Sequence, residues 1–314
     1  MTQKVILSAL SLLAAGVIAL WARPTSLNTG VFFWRDGAIA REASILFVGD
    51  MMFDRTIRSM SERRGGDYLF ACVIDYIKGF DLAVGNLEGT ITDNPSLSQR
   101  TLPGEAGNTT FTFPTSTAEL LRRSGIGAVS IANNHIFDFG RFGVESTREY
   151  LTAAGVQHFG DPIDPAQKSL VKDVNGLGIA LVGFNQFLGV DSATATVAEI
   201  QGLRANSDAI IVFSHWGDEY VPVTDGQRAI AHAFIDAGAD AVIGAHPHVI
   251  QEHEVYKGKS IYYSLGNFMF DQYWEDAVRD GLVLEAHLSD RSISFIPRHV
   301  LGTRGRGPCL SNGL

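Results

Sequence analysis

Short apolar runs along this chain repeatedly end in a residue suited to binding a metal. SILFVG runs into Asp50, DLAVGNL leads to Glu88, and GAVSIA leads to Asn134 and His135. AIIVFS ends at His215, and DAVIGA ends at His246 and His248. Apolar runs of this length, bounded by turn residues, read as strands, here expected at 80–86, 126–132, 178–184, 208–214 and 239–245. Helical stretches fall between them at 53–64, 67–79 (with Asp67 as N-cap), 143–154 and 226–238, and Thr115 opens another with Glu119 in its first turns. Residues 92–112, rich in Thr, Asn, Gly and Pro, read as a long surface loop, and 155–165 as a Gly/Asp/Pro connection. The tail differs: 261–265, 282–287 and 292–296 are β-like runs without helices between them, which predicts antiparallel strands added to the sheet system. The class is therefore α/β, in which ligands bind beyond the carboxyl ends of the strands. Carboxylate, amide and imidazole groups gathered there would suit a divalent ion.

Composition narrows the picture. The 314 residues are 46% hydrophobic and 19% charged, enough for a sizeable core. A net charge of -9 argues against nucleic acid as partner, and its even spread reads as solubility. Val5 to Ala22 carries no charge and then meets Arg23 and Pro24. That length just spans a bilayer, so residues 1–24 are expected to be an uncleaved signal-anchor. Residues 25–44 then form a linker, and 45–314 a single domain. The expected location is the cell membrane, single-pass, with the domain extracytoplasmic. Cys72 and Cys309 form neither a zinc knuckle nor a disulfide framework. A disulfide between them would need an oxidising compartment and a geometry the sequence cannot test, and Cys72 reads as a buried small hydrophobe on a helix.

The sharpest local signal is His246-Pro247-His248. Pro247 disfavours the helical region at His246, so an extended tripeptide is expected, with both imidazoles facing one crevice. Surface histidines in a turn are the plainer alternative. Asp50, after Gly49, suits a ligand or the N-cap of helix 53–64. Glu88 lies in an open turn between Gly85 and Gly89, where a surface carboxylate would be unremarked. Asn134 beside His135 pairs an amide oxygen with a proton donor, although a turn explains one of the two asparagines. His215 could instead be a core histidine. His158, His232, His253, His287 and His299 have no companions and read as structural or solvated. There is no G-x-S-x-G elbow and no phosphate-binding loop.

The segments GDMMFDR, GNLEGTIT, ANNHIFDFG, SHWGDEY, GADAVIGAHPHVIQ and YSLGNFMFD, in this order, resemble the bacterial capsule-synthesis CapA proteins, the poly-γ-glutamate biosynthesis family. The likeness runs from Ile45 to the region of Pro297. It implies a branch of the calcineurin-like metallophosphoesterases: a four-layer α-β-β-α sandwich around two divalent ions (Mn, Fe or Zn). It also implies Asp50, Glu88, Asn134, His215, His246 and His248 as ligands, Glu88 bridging. His135 would act on the reacting group, oriented by Asp138, while Arg55 and Asn267 would bind an anionic substrate, poly-γ-glutamate or a phosphoester. Met52 stands where the superfamily has a histidine, and a thioether is a poor ligand for such cations, which weakens the Asp50-side site. Glu88 is longer than the usual aspartate. Two further readings stand beside the hydrolase or transferase: a non-catalytic, polymer-binding subunit of a capsule synthase or export complex, and a plain exported metallophosphoesterase. The resemblance also implies a closing segment beyond Leu314.

Overall fold

A computed structural model describes residues 40–189 and 191–311. The expected anchor over 1–24 and most of the expected linker lie outside the described residues. Among the described residues no helix is long and apolar enough to cross a membrane.

Two sheets organise the chain. In the first, the strand Glu42–Met51 is central, and Leu82–Leu87, Ala128–Ser130 and Gln157–Phe159 follow it outward in parallel. On its other side lie the antiparallel strands Asp280–Ser289, Ile293–Thr303 and Arg306–Leu310. Asn267–Met269 pairs in parallel with the end of Glu42–Met51. The second sheet holds Leu177–Asn185, Ala209–His215, Ala241–Ala245 and Lys259–Tyr262, all parallel, with antiparallel edges Ser169–Val174 and His253–Tyr256. Parallel strands are covered on both faces, which is why they are continuous apolar runs.

Period-two alternation sends each strand's side chains into different cores. Ile45 and Phe47 face the space between the sheets, where they join Leu181, Ile211, Phe213 and Ile243. Leu46 and Val48 face the other way, toward Ile57 and Met60 of helix Arg55–Arg64 and Val144 and Leu151 of helix Gly140–Ala154. On the outer face of the second sheet, Val182, Ile210 and Val212 meet Ile200 of helix Ser192–Leu203 and Phe234 of helix Asp225–Ala237. Helices thus cover the outer face of each sheet.

Several local expectations are corrected. The helix expected over 67–79 is a 3-10 turn, Gly66–Phe70, then a short helix, Ile74–Ile77. Gly65, at φ 84°, ends the preceding helix, and Asp67 pairs with Arg123 (2.8 Å) instead of capping. The connection 155–165 contains the strand Gln157–Phe159, too short between its flanking glycines to stand out by periodicity. The tail run at 261–265 overlaps the strand Lys259–Tyr262, which pairs antiparallel with His253–Tyr256 as expected but in parallel with Ala241–Ala245. Cys72 is an exposed turn residue, not a buried helical one, and is disulfide-bonded to Cys309 with 5.0 Å between Cα atoms. The two come together because the last strand folds back over the turn that carries Cys72.

Candidate metal centre

The carboxyl ends of the parallel strands converge. Asp50 sits in register with Asn86 on one neighbour and Asn267 on the other, and Glu88 follows the end of Leu82–Leu87. His215 is the last residue of its strand, paired with Ala245, and His246 comes next along that neighbour. Asn134 and His135 occupy the turn after Ala128–Ser130. The first strand can exit so tightly only because residue 49 is glycine: a Cβ there would lie 1.9 Å from the Gly266 carbonyl oxygen. Helix Arg55–Arg64 is capped by Asp54, which accepts from the Arg55 N–H (3.0 Å), so Asp50 is free of the capping role weighed for it.

Five of the expected ligands form two buried triads sharing one carboxylate: Glu88 with His215 and His246, and Asp50 with Glu88 and His248. Within each, the candidate ligand atoms lie within 4.8 Å of one another. The sixth, Asn134, is 2.8 Å from His215 Nε2 through its Oδ1. The HPH tripeptide is not extended as expected. His246 and His248 have φ of 97° and 58°, because proline excludes the right-handed helical region at His246 without enforcing an extended one. The resulting bend turns the His246 N–H onto Asp50 Oδ2 (3.0 Å) and still leaves the two rings 6.0 Å apart. Left-handed geometry at two bulky positions of one tripeptide is strain of the kind that collects at functional sites.

Whether the residues fit a cation can be read from unmet polar atoms. Glu88 Oε1 and His246 Nδ1 are buried without a hydrogen-bond partner, a deficit that proteins rarely leave. Burial, then the neighbouring Asp50, pushes the Glu88 carboxyl well above its ordinary range, and Arg55 offsets this only in part. Burial opposes ionisation of Asp50 too, but His248 and then His215 and Asn86 hold it well below the usual carboxylate range. Burial, then His246, lowers His215; burial, then His248, lowers His246 to about 4. Both histidines are thus neutral near pH 7, the form that ligates metal. The donor set of carboxylate, imidazole and amide fits a borderline divalent ion.

Around the triads stand residues with narrower tasks. Asn86 donates through Nδ2 to Asp50 Oδ1 (2.7 Å) and lies 3.2 Å from His215 Nδ1, tying both sheets to the site. Asn133 donates to the Leu87 carbonyl (2.8 Å) and accepts from the His135 N–H (3.1 Å). Neither was singled out from the sequence. Asn86 was detectable, since it lies two residues before Glu88 at the end of an extended run, and its Nδ2 is 3.4 Å from Glu88 Oε2. His135 Nδ1 is 2.9 Å from Asp138 Oδ2, and its ring packs on Phe111 at 4.4 Å. Asn267 has Oδ1 on His248 Nδ1 (2.9 Å) and donates Nδ2 to the Val278 carbonyl (2.9 Å) and Gln272 (3.0 Å). Arg55 pairs with Asp271 at 2.5 Å. Met52 is fully buried, and its sulfur accepts from the Asp54 N–H (2.9 Å).

The profile of a family described as bacterial capsule synthesis protein PGA_cap matches residues 44–272. The chain is 30% identical to the capsule biosynthesis protein CapA of Bacillus anthracis, over 81% of this chain and 66% of that one. It is 32% identical to the PGA biosynthesis protein CapA of Bacillus subtilis (strain 168), over 78% and 67%. It therefore spans about two thirds of the length of these relatives. A crystal structure of a hypothetical protein from Thermus thermophilus superposes with a TM-score of 0.52 at 18% identity, covering 82% of this chain and 99% of that one, a likeness of fold alone.

Proposed function

We propose that this chain, which belongs to the bacterial capsule synthesis protein family PGA_cap, is a membrane-anchored, extracytoplasmic protein of capsule polymer synthesis with a two-metal hydrolase or transferase core. The observation that carries this reading is the pair of buried triads sharing Glu88, with Glu88 Oε1 and His246 Nδ1 left unpartnered. We read the arrangement of helices and sheets as the four-layer metallophosphoesterase type. The names of two relatives, which speak of capsule and PGA biosynthesis, favour poly-γ-glutamate or its precursors as substrate. A disulfide favours an oxidising, exported setting, and the apolar stretch Val5 to Ala22 is the proposed anchor.

Asp50, Glu88, Asn134, His215, His246 and His248 would hold Mn, Fe or Zn, and such ions supply Lewis acidity and make water a stronger acid. The protein's own groups do the rest. Asp138 accepts from His135 Nδ1–H and orients the ring, and His135 would donate a proton to the leaving group through Nε2. Asn267 fixes the His248 ring so that its Nε2 stands 3.6 Å from Glu88 Oε1. Arg55, whose guanidinium lies 5.0 Å from the Phe111 ring, is the proposed anion-binding group.

The test is elemental analysis of the full chain, followed by assays on γ-linked polyglutamate and on phosphoesters. We expect about two bound ions per chain, and metal-dependent cleavage or transfer that His246→Ala abolishes with the fold intact. Absence of turnover on both substrate types by fully loaded protein would reject the catalytic reading. One observation favours a second reading, a non-catalytic polymer-binding subunit: Met52 supplies the Asp50 side with no imidazole, its sulfur being turned to the Asp54 N–H. That reading predicts a structural ion whose loss unfolds the protein.

A further inference from the structure

Beside the metal cluster opens a cleft of about 720 Å³, lined among others by Arg55, Arg63, Arg304, Asp271, Tyr273 and Trp274. Its lining carries three arginines against one aspartate, in a protein of net charge -9. Asp271 is already taken by Arg55. Arg63 and Arg304 are exposed and make no ion pair among the described residues. Glu62, the acid next to Arg63, is held by Arg58 at 3.1 Å. The Arg304 guanidinium lies 6.0 Å from the Tyr273 ring, and Trp274 is 60% exposed. The cleft is thus a basic, aromatic-sided surface with unspent cations.

It is also joined to the cluster. The Arg55 guanidinium stands 5.0 Å from the Phe111 ring and 5.6 Å from the Phe270 ring. Those rings touch the cluster's histidines: Phe111 lies 4.4 Å from His135, and Phe270 4.7 Å from His248. Arg55 therefore occupies the junction, and its Nε–H is buried without an acceptor. Arg55 and Arg63 open and nearly close the same helix. At 1.5 Å of rise per residue their backbones are about 12 Å apart along its axis. One small anion cannot engage both, whereas successive anions on one chain can.

We infer that this cleft binds a chain of repeated carboxylates. Arg55, Arg63 and Arg304 grip successive groups, the Trp274 ring covers the aliphatic spacers, and one end of the chain lies at the metal cluster. The choice of carboxylate over phosphate rests on the proposed function; the cleft itself does not.

The experiment is calorimetric titration of the full chain with a γ-linked glutamate oligomer of about ten residues, free glutamate, and a polyphosphate of matched charge. Arg63→Glu/Arg304→Glu should weaken oligomer binding roughly tenfold and flatten its salt dependence. Bound metal and the melting temperature should stay unchanged. The lysine pair Arg63→Lys/Arg304→Lys should keep most of the affinity, and the remote Lys257→Glu all of it. Unchanged oligomer binding in the double glutamate variant, or an equal loss in Lys257→Glu, overturns the inference. Tighter binding of polyphosphate than of the glutamate oligomer overturns its carboxylate part. Repeating the titration on chelated protein separates the two claims. Binding that survives without metal or turnover upholds the cleft even if the catalytic reading falls, and active protein with an indifferent cleft does the reverse.

Discussion

Two carboxylates at opposite ends of the strands, Glu88 buried and Asp240 partly buried, have opposite surroundings. Asp240, just before the strand Ala241–Ala245, accepts from Arg204 (2.6 Å), Lys259 (2.7 Å) and the Ile210 N–H (2.9 Å). Burial opposes its ionisation, but Lys259, Arg204 and that N–H hold it below the usual carboxylate range. Glu88, beyond the far end of the other sheet, has one oxygen without a partner, and burial pushes its carboxyl upward. Asp240 is charge-matched by the protein and completes a fold. Glu88 has only Asn86 Nδ2, at 3.4 Å, on its other oxygen, and a buried carboxyl so poorly partnered needs a reason. The same residue class thus reports structure at one end and ligand binding at the other.

The largest effect should come from the unmatched one. Glu88→Gln keeps shape but removes the charge that both triads share, so both metals should be lost and activity should fall by more than about 100-fold. The metal-free protein should melt no lower than wild type, because a neutral amide of the same shape replaces a carboxyl that burial already pushes toward its neutral form. Elemental analysis with thermal melting checks both. A Glu88→Gln protein that still held two ions would remove the ground for calling this residue a shared ligand.

Gly49→Ala attacks the same end through the backbone. Its Cβ would meet the Gly266 carbonyl oxygen at 1.9 Å, and the Asp50 N–H bond to that oxygen (3.1 Å) would have to open. We expect a loss of about 3 kcal/mol by denaturant titration and weaker metal binding on the Asp50 side.

Asp240→Asn tests the matched end. It should cost about 2 kcal/mol, below the full penalty for a broken buried pair because both cations keep access to solvent, with metal content unchanged. The pH dependence follows from the sign of the shift. A carboxyl held lower in the folded than in the unfolded chain contributes stability that is present above the ordinary carboxylate pKa. That stability is lost as pH falls through the lower folded value. Wild type should therefore lose this increment under acid, and the Asp240→Asn curve should lack that segment of slope.

What could be read from the sequence follows the same division. The ligand positions at strand ends were legible because each lies one to three residues past an apolar run, and a run of that length fixes both the strand and its exit. The conformation at His246 was not, since proline restricts the preceding residue without choosing among the remaining regions. Asn133 and Asn86 were missed because an amide that positions another residue looks, in sequence, like a turn former or a strand-end polar residue. The basic cleft was hidden for a different reason. Arg63 lies on the first helix and Arg304 in a turn near the chain's end, and only the return of the last strands beside that helix makes them neighbours. The Cys72–Cys309 disulfide is produced by the same return.

The smallest expected effect concerns Met52, and it bears on how complete the metal end is. If its thioether helped to hold an ion, replacing sulfur by carbon would lower metal content. The sulfur instead accepts from the Asp54 N–H within the packed core under helix Arg55–Arg64. Met52→Leu preserves volume and hydrophobicity, so it should cost less than about 1.5 kcal/mol. The number of bound ions and their affinity should be unchanged, as measured by competition with a chelator. A selective loss of the weaker ion in Met52→Leu would mean that the thioether reorients toward the metal on binding. The Asp50 side would then owe part of its ion to sulfur, and the contrast between unmatched and matched ends would have to count the core as one of the suppliers.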